Sequence, residues 1–278
     1  MSGVKENKKY VVAIRYILLC VLGACMLLPF AWMLSSSLKL NKDVFAFPME
    51  WIPKDPHWEN YKQIWTVIPL GTFILNTAKI TVIVTFLQVL SSSFAAYAFA
   101  KLHFKGRDQI FLAYIGTIAV PWQAYMVPQF MLMRSVHLNN THLAVILLHA
   151  FSAFGVFLMR QFYEGIPDEL CEAARIDGLS EYGIWARIML PLSKPAISTL
   201  VIFTFVNSWN DFLGPMIYLT KTELKTIQIG LRMFISQYST EYGLIMAASV
   251  VALIPVLIVF LSLQKYFVQG VASAGLKG

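Results

Sequence analysis

The chain has 278 residues, of which 58% are hydrophobic and only 13% are charged, and it has a formal net charge of +7 at pH 7. This composition is too apolar for an ordinary soluble domain and indicates an all-α polytopic membrane protein. The basic residues form no stripe, so no nucleic acid is expected as a partner. The three cysteines have no spacing that predicts a disulfide or a metal site.

Six apolar segments predict six transmembrane helices, because roughly 20 residues cross the hydrocarbon core. The first segment follows a basic N-terminus and is longer than the core of a signal peptide, so we interpret it as a retained anchor. Lys and Arg are more frequent on the segments that would then be cytosolic, which predicts that both termini are cytosolic. The expected spans are approximately 12–36, 73–100, 109–133, 142–162, 195–219 and 243–266, within one membrane domain over residues 1–278.

Two segments are predicted to lie outside the membrane on the side opposite the termini. Residues 39–73 contain four prolines and three tryptophans, which favours a short cap that lies at the membrane interface. A substrate-binding role for the tryptophans is the alternative. Residues 220–242 are expected to contain a short amphipathic helix through Ile227, Leu231 and Phe234.

The cytosolic loop 163–194 has the pattern of two helices joined by a turn. Pro167 and the acidic residues after it are typical of a first helical turn, and Gly178 is the residue type that ends a helix in a left-handed turn. Ser180 is expected to cap a second helix with an apolar face, and Pro191 is expected to stop it. We call residues 163–194 the elbow.

The elbow has side chains that suit docking of another protein. The small Ala173 and Ala174 would permit close approach, Glu172 and Asp177 offer charges, and Arg175 is expected to orient Glu172. The loop is acidic, which favours a partner groove with basic character. The alternative is an amphipathic elbow that rests on lipid headgroups, although such elements are usually basic.

Motifs for catalysis are missing from the sequence. It contains no G-x-x-x-x-G-K-[ST] phosphate loop, no H-E-x-x-H and no G-x-S-x-G. We therefore expect no enzyme activity, no cofactor and no metal in this chain.

The elbow also resembles a known family. Glu172-Ala173-Ala174, then Gly178, then Ile188-x-Leu190-Pro191 is similar to the EAA signature of bacterial ABC importer permeases. Further segments resemble the MalG-like permeases of the carbohydrate-uptake branch: Ala96–Lys101 with Gly106-Arg107, Pro121-x-Gln123 with Pro128, Trp209–Phe212, and the tail from Gly270 to Gly278.

The resemblance implies a type I ABC importer permease fold in the bacterial cytoplasmic (inner) membrane. It implies that the elbow couples to an ATPase through Glu172, Ala173, Ala174, Asp177, Gly178, Ile188 and Pro191. The implied partners are a second, MalF-like permease, two ATP-binding subunits that hold ATP and Mg²⁺, an extracytoplasmic sugar-binding protein, and membrane lipid. The tail residues Gly275 and Lys277 are a further expected contact with the ATPase.

A substrate path is the least specific of these predictions. Asp211 is the one formal charge in its span, and an intramembrane charge is a functional candidate by default. With Asn210, Trp122 and Gln123 it would offer aromatic and polar groups to a sugar. The alternatives are that Asp211 is satisfied by nearby backbone or by a sister subunit, and that Pro121 and Pro128 only bend their helix.

The predicted function is therefore the transmembrane permease subunit of an ATP-driven sugar or oligosaccharide importer. One alternative is an ABC permease for a non-sugar solute, which would share the elbow motif. An ion-coupled secondary transporter is the other alternative, and it would be expected to have more intramembrane carboxylates than Asp211 alone.

Overall fold

The computed structural model describes residues 3–235 and 240–275, and these are predominantly helical. Their one β pairing is an isolated bridge between Ile235 and Thr240, so the all-α prediction is confirmed. The α-helices are α1 (Gly3–Ser37), α2 (Glu59–Val67), α3 (Leu70–Lys101), α4 (Arg107–Gly116), α5 (Met126–Ser135), α6 (His142–His149), α7 (Ala153–Glu164), α8 (Glu169–Ile176), α9 (Glu181–Ile184), α10 (Leu190–Leu192), α11 (Lys194–Trp209), α12 (Leu213–Tyr218), α13 (Ile227–Met233) and α14 (Tyr242–Gly275).

The chain divides into two compact units, one of which contains Met1–Ile68 and Leu231–Leu253. In this unit the end of α1 is closed by Asn60, whose Nδ2 donates to the carbonyls of Ser37 and Lys39 at 2.9 Å each. These carbonyls would otherwise lack partners at the helix end. Trp51 of the outer segment packs edge-on against Trp32, with ring centroids 5.4 Å apart.

The other unit contains Pro69–Gly230 and Ile254–Gly278 and is built around α3. This helix packs along α7 and α11, and it also contacts α6. Two apolar clusters result. The one near the elbow, which we call the inner cluster, includes Ala96, Tyr97, Met159, Tyr163, Ile184 and Met189. The one at the other end of α3, which we call the outer cluster, includes Ile80, Val84, Val145, Tyr218 and Leu219. The prediction of one membrane domain stays a prediction.

Three helices are long and apolar enough to cross a membrane without interruption: Tyr10–Ser37, Leu70–Lys101 and Tyr242–Tyr266, of 28, 32 and 25 residues. Two bent pairs have the required length and composition together, α6 with α7 at 40° and Glu181–Leu192 with α11 at 81°. The three uninterrupted helices coincide with the predicted spans 12–36, 73–100 and 243–266. The total of six spans stays a prediction.

The expectation of a single helix over 109–133 is wrong. The segment consists of α4, two 3₁₀ turns at Thr117–Ala119 and Trp122–Ala124, and α5. Val120 is extended, with ψ 110°, as a residue before proline usually is. Pro121 lacks the N–H that would continue the ladder, so the chain breaks there.

The spans 142–162 and 195–219 are also interrupted. The first bends at residues 150–152, between α6 and α7, and the second breaks at residues 210–212, between α11 and α12. Backbone groups freed by such breaks need partners inside a membrane. Gln88 and Ser91 supply hydrogen bonds at the first break, and Asp211 supplies one at the second.

Candidate functional site

The turn of the elbow has the geometry that the sequence predicts. After α8, Gly178 has φ +81°, and its N–H donates to the Arg175 carbonyl at 3.0 Å. The N–H of Leu179 donates to the Ala174 carbonyl at 2.9 Å. This pair of bonds is a Schellman motif, which requires a left-handed residue at the position of Gly178. Ser180 then caps α9 by accepting from the Gly183 N–H at 3.3 Å.

Pro191 does not stop the second helix, contrary to the sequence prediction. The chain widens into a π-helical turn over Trp185–Met189 and continues helically through Leu192. The Leu190 N–H donates to the Trp185 carbonyl, five residues back. A wider turn accommodates a proline ring that an ordinary α-helix would reject. The direction changes by 81° only after Leu192.

The two faces of the elbow differ strongly. Cys171 and Ala174 are buried in the inner cluster, which also partly buries Ile188. The opposite face exposes Glu172, Ala173, Asp177, Gly178 and Pro191. Ala174 and Ile188 therefore pack the elbow onto the membrane helices, and the other predicted coupling residues remain accessible.

Three apolar side chains on the exposed face were missed by the sequence analysis. Ile176 is 86% exposed, Tyr182 is 69% exposed and Leu170 is 45% exposed. Helical periodicity places Ile176 on the side of α8 opposite the buried Cys171 and Ala174. This periodicity in the sequence could have predicted its exposure. We call Leu170, Glu172, Ala173, Ile176, Asp177 and Tyr182 the exposed elbow face. Exposed apolar side chains with a polar rim are typical of an interaction surface. The Tyr182 ring also stacks on Phe94 of α3, with ring centroids 5.7 Å apart.

Ion pairs hold the elbow in place. Arg175 donates to Glu181 through Nε at 2.7 Å and Nη2 at 3.3 Å, so the expectation that it orients Glu172 is wrong. Lys101, at the end of α3, donates to the Asp168 carboxylate. Within the part of the chain that the structure describes, Glu172 and Asp177 have no ion-pair partner. They give the exposed elbow face a negative character.

Acidification is expected to loosen the elbow. The hydrogen bond from Lys101 holds the pKa of Asp168 below its usual range, and the bond from Arg175 does the same for the pKa of Glu181. A carboxyl whose pKa is lower in the folded than in the unfolded protein stabilises the fold at pH values above its unfolded pKa of about 4. This stabilisation is lost as the pH falls through the lowered pKa of the folded protein. Limited proteolysis of the elbow should therefore be constant from neutral pH to about 5 and accelerate below about 4.

Asp168→Asn and Glu181→Gln are expected to flatten this acid-side change, and Glu169→Gln serves as the control on the same helix. Equal acid sensitivity in all four proteins would contradict the assignment.

Asp211 lies at the break between α11 and α12. Its Oδ1 accepts from the Gly214 N–H at 3.2 Å, and its Oδ2 is 3.6 Å from His149 Nε2. His149 Nδ1 lies 3.0 Å from the Val145 carbonyl, which can only accept, so Nδ1 carries the hydrogen. The Oδ1 contact supports the alternative in which Asp211 is satisfied by nearby backbone, whereas its buried Oδ2 has no hydrogen-bond partner among the described residues.

The other residues predicted for the substrate path are not gathered at one point. Asn210 Oδ1 accepts from Gln228 Nε2 at 3.0 Å, and Trp122 Nε1 donates to Gln129 Oε1 at 2.7 Å. Gln123 is exposed. Among the described residues, no hydrogen bond joins Trp122 or Gln123 to Asn210 or Asp211.

Sequence reasoning missed Gln88, which connects three helices. Its Nε2 donates to the His149 carbonyl at 2.6 Å, and its Oε1 accepts from Thr204 Oγ1 at 2.8 Å. Ser91 donates to the Ala150 carbonyl at 3.0 Å. These bonds satisfy carbonyls at the break between α6 and α7. A polar residue within an apolar span was the available signal.

The predicted tail contact lies largely beyond the description. α14 is described as far as Gly275, and Lys277 lies outside the described residues. The role of both in contacting an ATPase stays a prediction.

The elbow packs one face onto long apolar helices and leaves its other face exposed. This arrangement fits a transport permease subunit. The chain belongs to the family of binding-protein-dependent transport system inner membrane components, whose model matches residues 12–273. It is therefore a membrane component of an ABC importer and not an enzyme. Such a component works with a binding protein, a second permease and ATPase subunits.

Similar proteins agree with this assignment. The chain is 38% identical over 221 residues to the arabinooligosaccharides transport system permease protein AraQ of Halalkalibacterium halodurans, with 79% of each chain covered. It is 35% identical to AraQ of Bacillus subtilis, with 93% of each covered. A crystal structure of a bacterial ABC transporter involved in the import of the acidic polysaccharide alginate matches with TM-score 0.82 and 25% identity, covering 94% of this chain and 98% of the other.

Proposed function

We propose that this chain forms half of the translocation pathway of an ATP-driven sugar or oligosaccharide importer in the bacterial cytoplasmic membrane. Both termini are then cytosolic, and a MalF-like permease supplies the other half. Two ATP-binding subunits hold ATP and Mg²⁺, this chain needs no cofactor, and an extracytoplasmic binding protein delivers the sugar. The names of the two AraQ relatives support the substrate class.

The observation that carries the coupling role is the exposed elbow face. It presents the exposed Ile176 and Tyr182 on the same elbow as Glu172 and Asp177, which have no ion-pair partner within the described ranges 3–235 and 240–275. An apolar contact rimmed by negative charge fits a cleft with a hydrophobic floor and basic edges on an ATPase. A lipid-facing elbow would be expected to carry basic side chains instead.

The mechanism that follows is alternating access. Closure of the two ATPases on ATP moves the docked elbows, and the paired permeases then open toward the binding protein. This chain supplies no group to ATP hydrolysis. Its own residues bind the ATPase, hold the elbow on the membrane helices and line part of the path.

Glu172→Lys is the substitution that tests docking. Reversing an unpaired charge at the rim of an interface leaves the fold intact and introduces repulsion against a basic cleft. We expect co-purification of the ATPase from the native membrane to fall about tenfold, which corresponds to roughly 1.4 kcal/mol. Sugar uptake should fall with it.

The control is Glu223→Lys, an equal charge reversal on an exposed residue of the predicted outer segment. It should leave the ATPase bound. An assembled Glu172→Lys complex with normal uptake would contradict docking through this face. Uptake of a non-sugar solute by the purified wild-type complex would instead support the other class of ABC permease.

A further inference from the structure

We call residues 166–176, which include α8, the first arm of the elbow, and residues 181–192 its second arm. The C-terminal end of α3 contacts the first arm through Lys101. This side chain is only 3% exposed. Its Nζ donates to the Ile166 carbonyl at 2.6 Å and to the Asp168 carboxylate. Both acceptors lie immediately before α8. Burying an ammonium group costs several kcal/mol unless it is paired, so the position of Lys101 depends on these two acceptors.

One turn earlier on the same helix, Tyr97 contacts the second arm. Its hydroxyl donates to Glu181 Oε2, at the start of α9. Tyr97 and Lys101 are four residues apart, and such residues lie on one face of a helix. Arg175 of α8 binds the same Glu181 carboxylate. The two arms are thus joined to each other and are both fastened to one face of α3.

Lys101 is 3% exposed and Asp168 is 71% exposed, so the buried ammonium is the partner that needs this pair. The inner cluster also groups Cys171, Ala174 and Ile184 of the elbow with residues of α3 and α7. The hydrogen bonds add a fixed position and direction, since each requires a particular distance and angle.

The middle of α3 contacts the break between α6 and α7. Gln88 and Ser91 donate to the carbonyls of His149 and Ala150, and Thr204 of α11 donates to Gln88. The same helix therefore contacts the elbow at its C-terminal end and the interrupted segments near its centre.

We propose that Tyr97 and Lys101 are positioning residues that fasten both arms of the elbow to α3, so that the elbow and α3 move as one rigid body. The proposal rests on the function proposed above, because it specifies how movement at the docking surface reaches the membrane helices. Gln88 and Ser91 then transmit the movement of α3 to the break between α6 and α7.

Spin labels on the two elements provide the test. In a cysteine-free background, Leu75→Cys places a label on α3 and Ala186→Cys places one on the second arm; both sites are exposed. The distance between the labels is measured in the full complex, purified with its ATPases, with and without a non-hydrolysable ATP analogue and Mg²⁺. The wild-type background should give one narrow distribution that the analogue does not shift.

Tyr97→Phe and Lys101→Met remove the hydrogen bonds while keeping shape and volume. Each should broaden the distribution, the double variant more than either, and the analogue should then shift it. Lys101→Arg retains a donor and should restore the narrow distribution. Tyr114→Phe on α4 and Lys105→Met in the exposed loop after α3 are the matched controls, and thermal stability is measured alongside.

A wild-type distance that changes on binding the analogue would overturn the rigid-body proposal. An unchanged narrow distribution in the double variant would overturn the role of Tyr97 and Lys101. Tyr97→Phe removes a single oxygen atom, so it decides the question if Lys101→Met fails to fold. Failure of the wild-type chain to purify with any ATPase would refute the proposed function instead. Co-purification is therefore checked before the distances are measured.

Discussion

Gly178→Pro is expected to abolish ATP-driven transport. Proline fixes φ near −65°, whereas Gly178 has φ +81°. Proline also removes the N–H that donates to Arg175, and it drives Asp177 toward an extended conformation. The Schellman turn cannot form, so α8 and α9 lose their relative orientation and the exposed elbow face is disrupted. The loss of ATPase co-purification should be about a hundredfold or more, for a penalty of about 3 kcal/mol or more.

Gly178→Ala with Gly116→Ala isolates the cause of this effect. A Cβ at either position would meet nothing within 4 Å, but Gly116 has an ordinary helical φ of −55°. Left-handed backbone costs an alanine about 1–2 kcal/mol. Gly178→Ala should therefore weaken coupling measurably while Gly116→Ala does not. Equal behaviour of the two variants would refute the backbone explanation.

Asp211→Leu is expected to reduce uptake about tenfold or more. The substitution leaves the Gly214 N–H without its acceptor at the start of α12, and an unsatisfied buried donor costs about 1–3 kcal/mol. Gly214→Ala should have the same effect, since its Cβ would lie 2.5 Å from Asp211 Oδ2. Uptake and thermal stability should fall together in both variants.

Asp211→Asn separates a structural role from a role of the charge in the sugar path. Asparagine keeps an oxygen for the Gly214 N–H and places a neutral amide in the position of the carboxylate beside His149. If the role of Asp211 is structural, uptake by the Asp211→Asn variant should remain within about twofold of wild type. A stable Asp211→Asn protein that fails to transport would show that the charge itself is required, and would restore Asp211 to the substrate path.

Several features of this protein follow from local sequence. The charge-free runs require helices in a membrane, because only a helix satisfies its own backbone there. The Schellman turn at Gly178 and the cap at Ser180 depend on neighbouring residues alone, and both were predicted correctly. The break at Pro121 also has a local cause, although the length of the apolar run concealed it in the sequence analysis.

Other features were decided by packing between distant residues. Arg175 is as close in sequence to Glu172 as a helical pair requires, yet it binds Glu181 because the turn at Gly178 returns the chain alongside α8. Ala173 and Ala174 are equivalent in the motif, but only Ala174 faces the inner cluster.

The sequence by itself determined the helical membrane class, the elbow and the residue that turns it, because hydrophobic length and backbone conformation act over a few residues. Only the tertiary structure decided that α3 is the central helix, that Lys101 and Tyr97 hold the elbow, and that Asp211 lies beside His149. Those contacts join residues 62 to 84 positions apart. No local propensity encodes such pairs, because burial and hydrogen-bond geometry select them only when the helices pack.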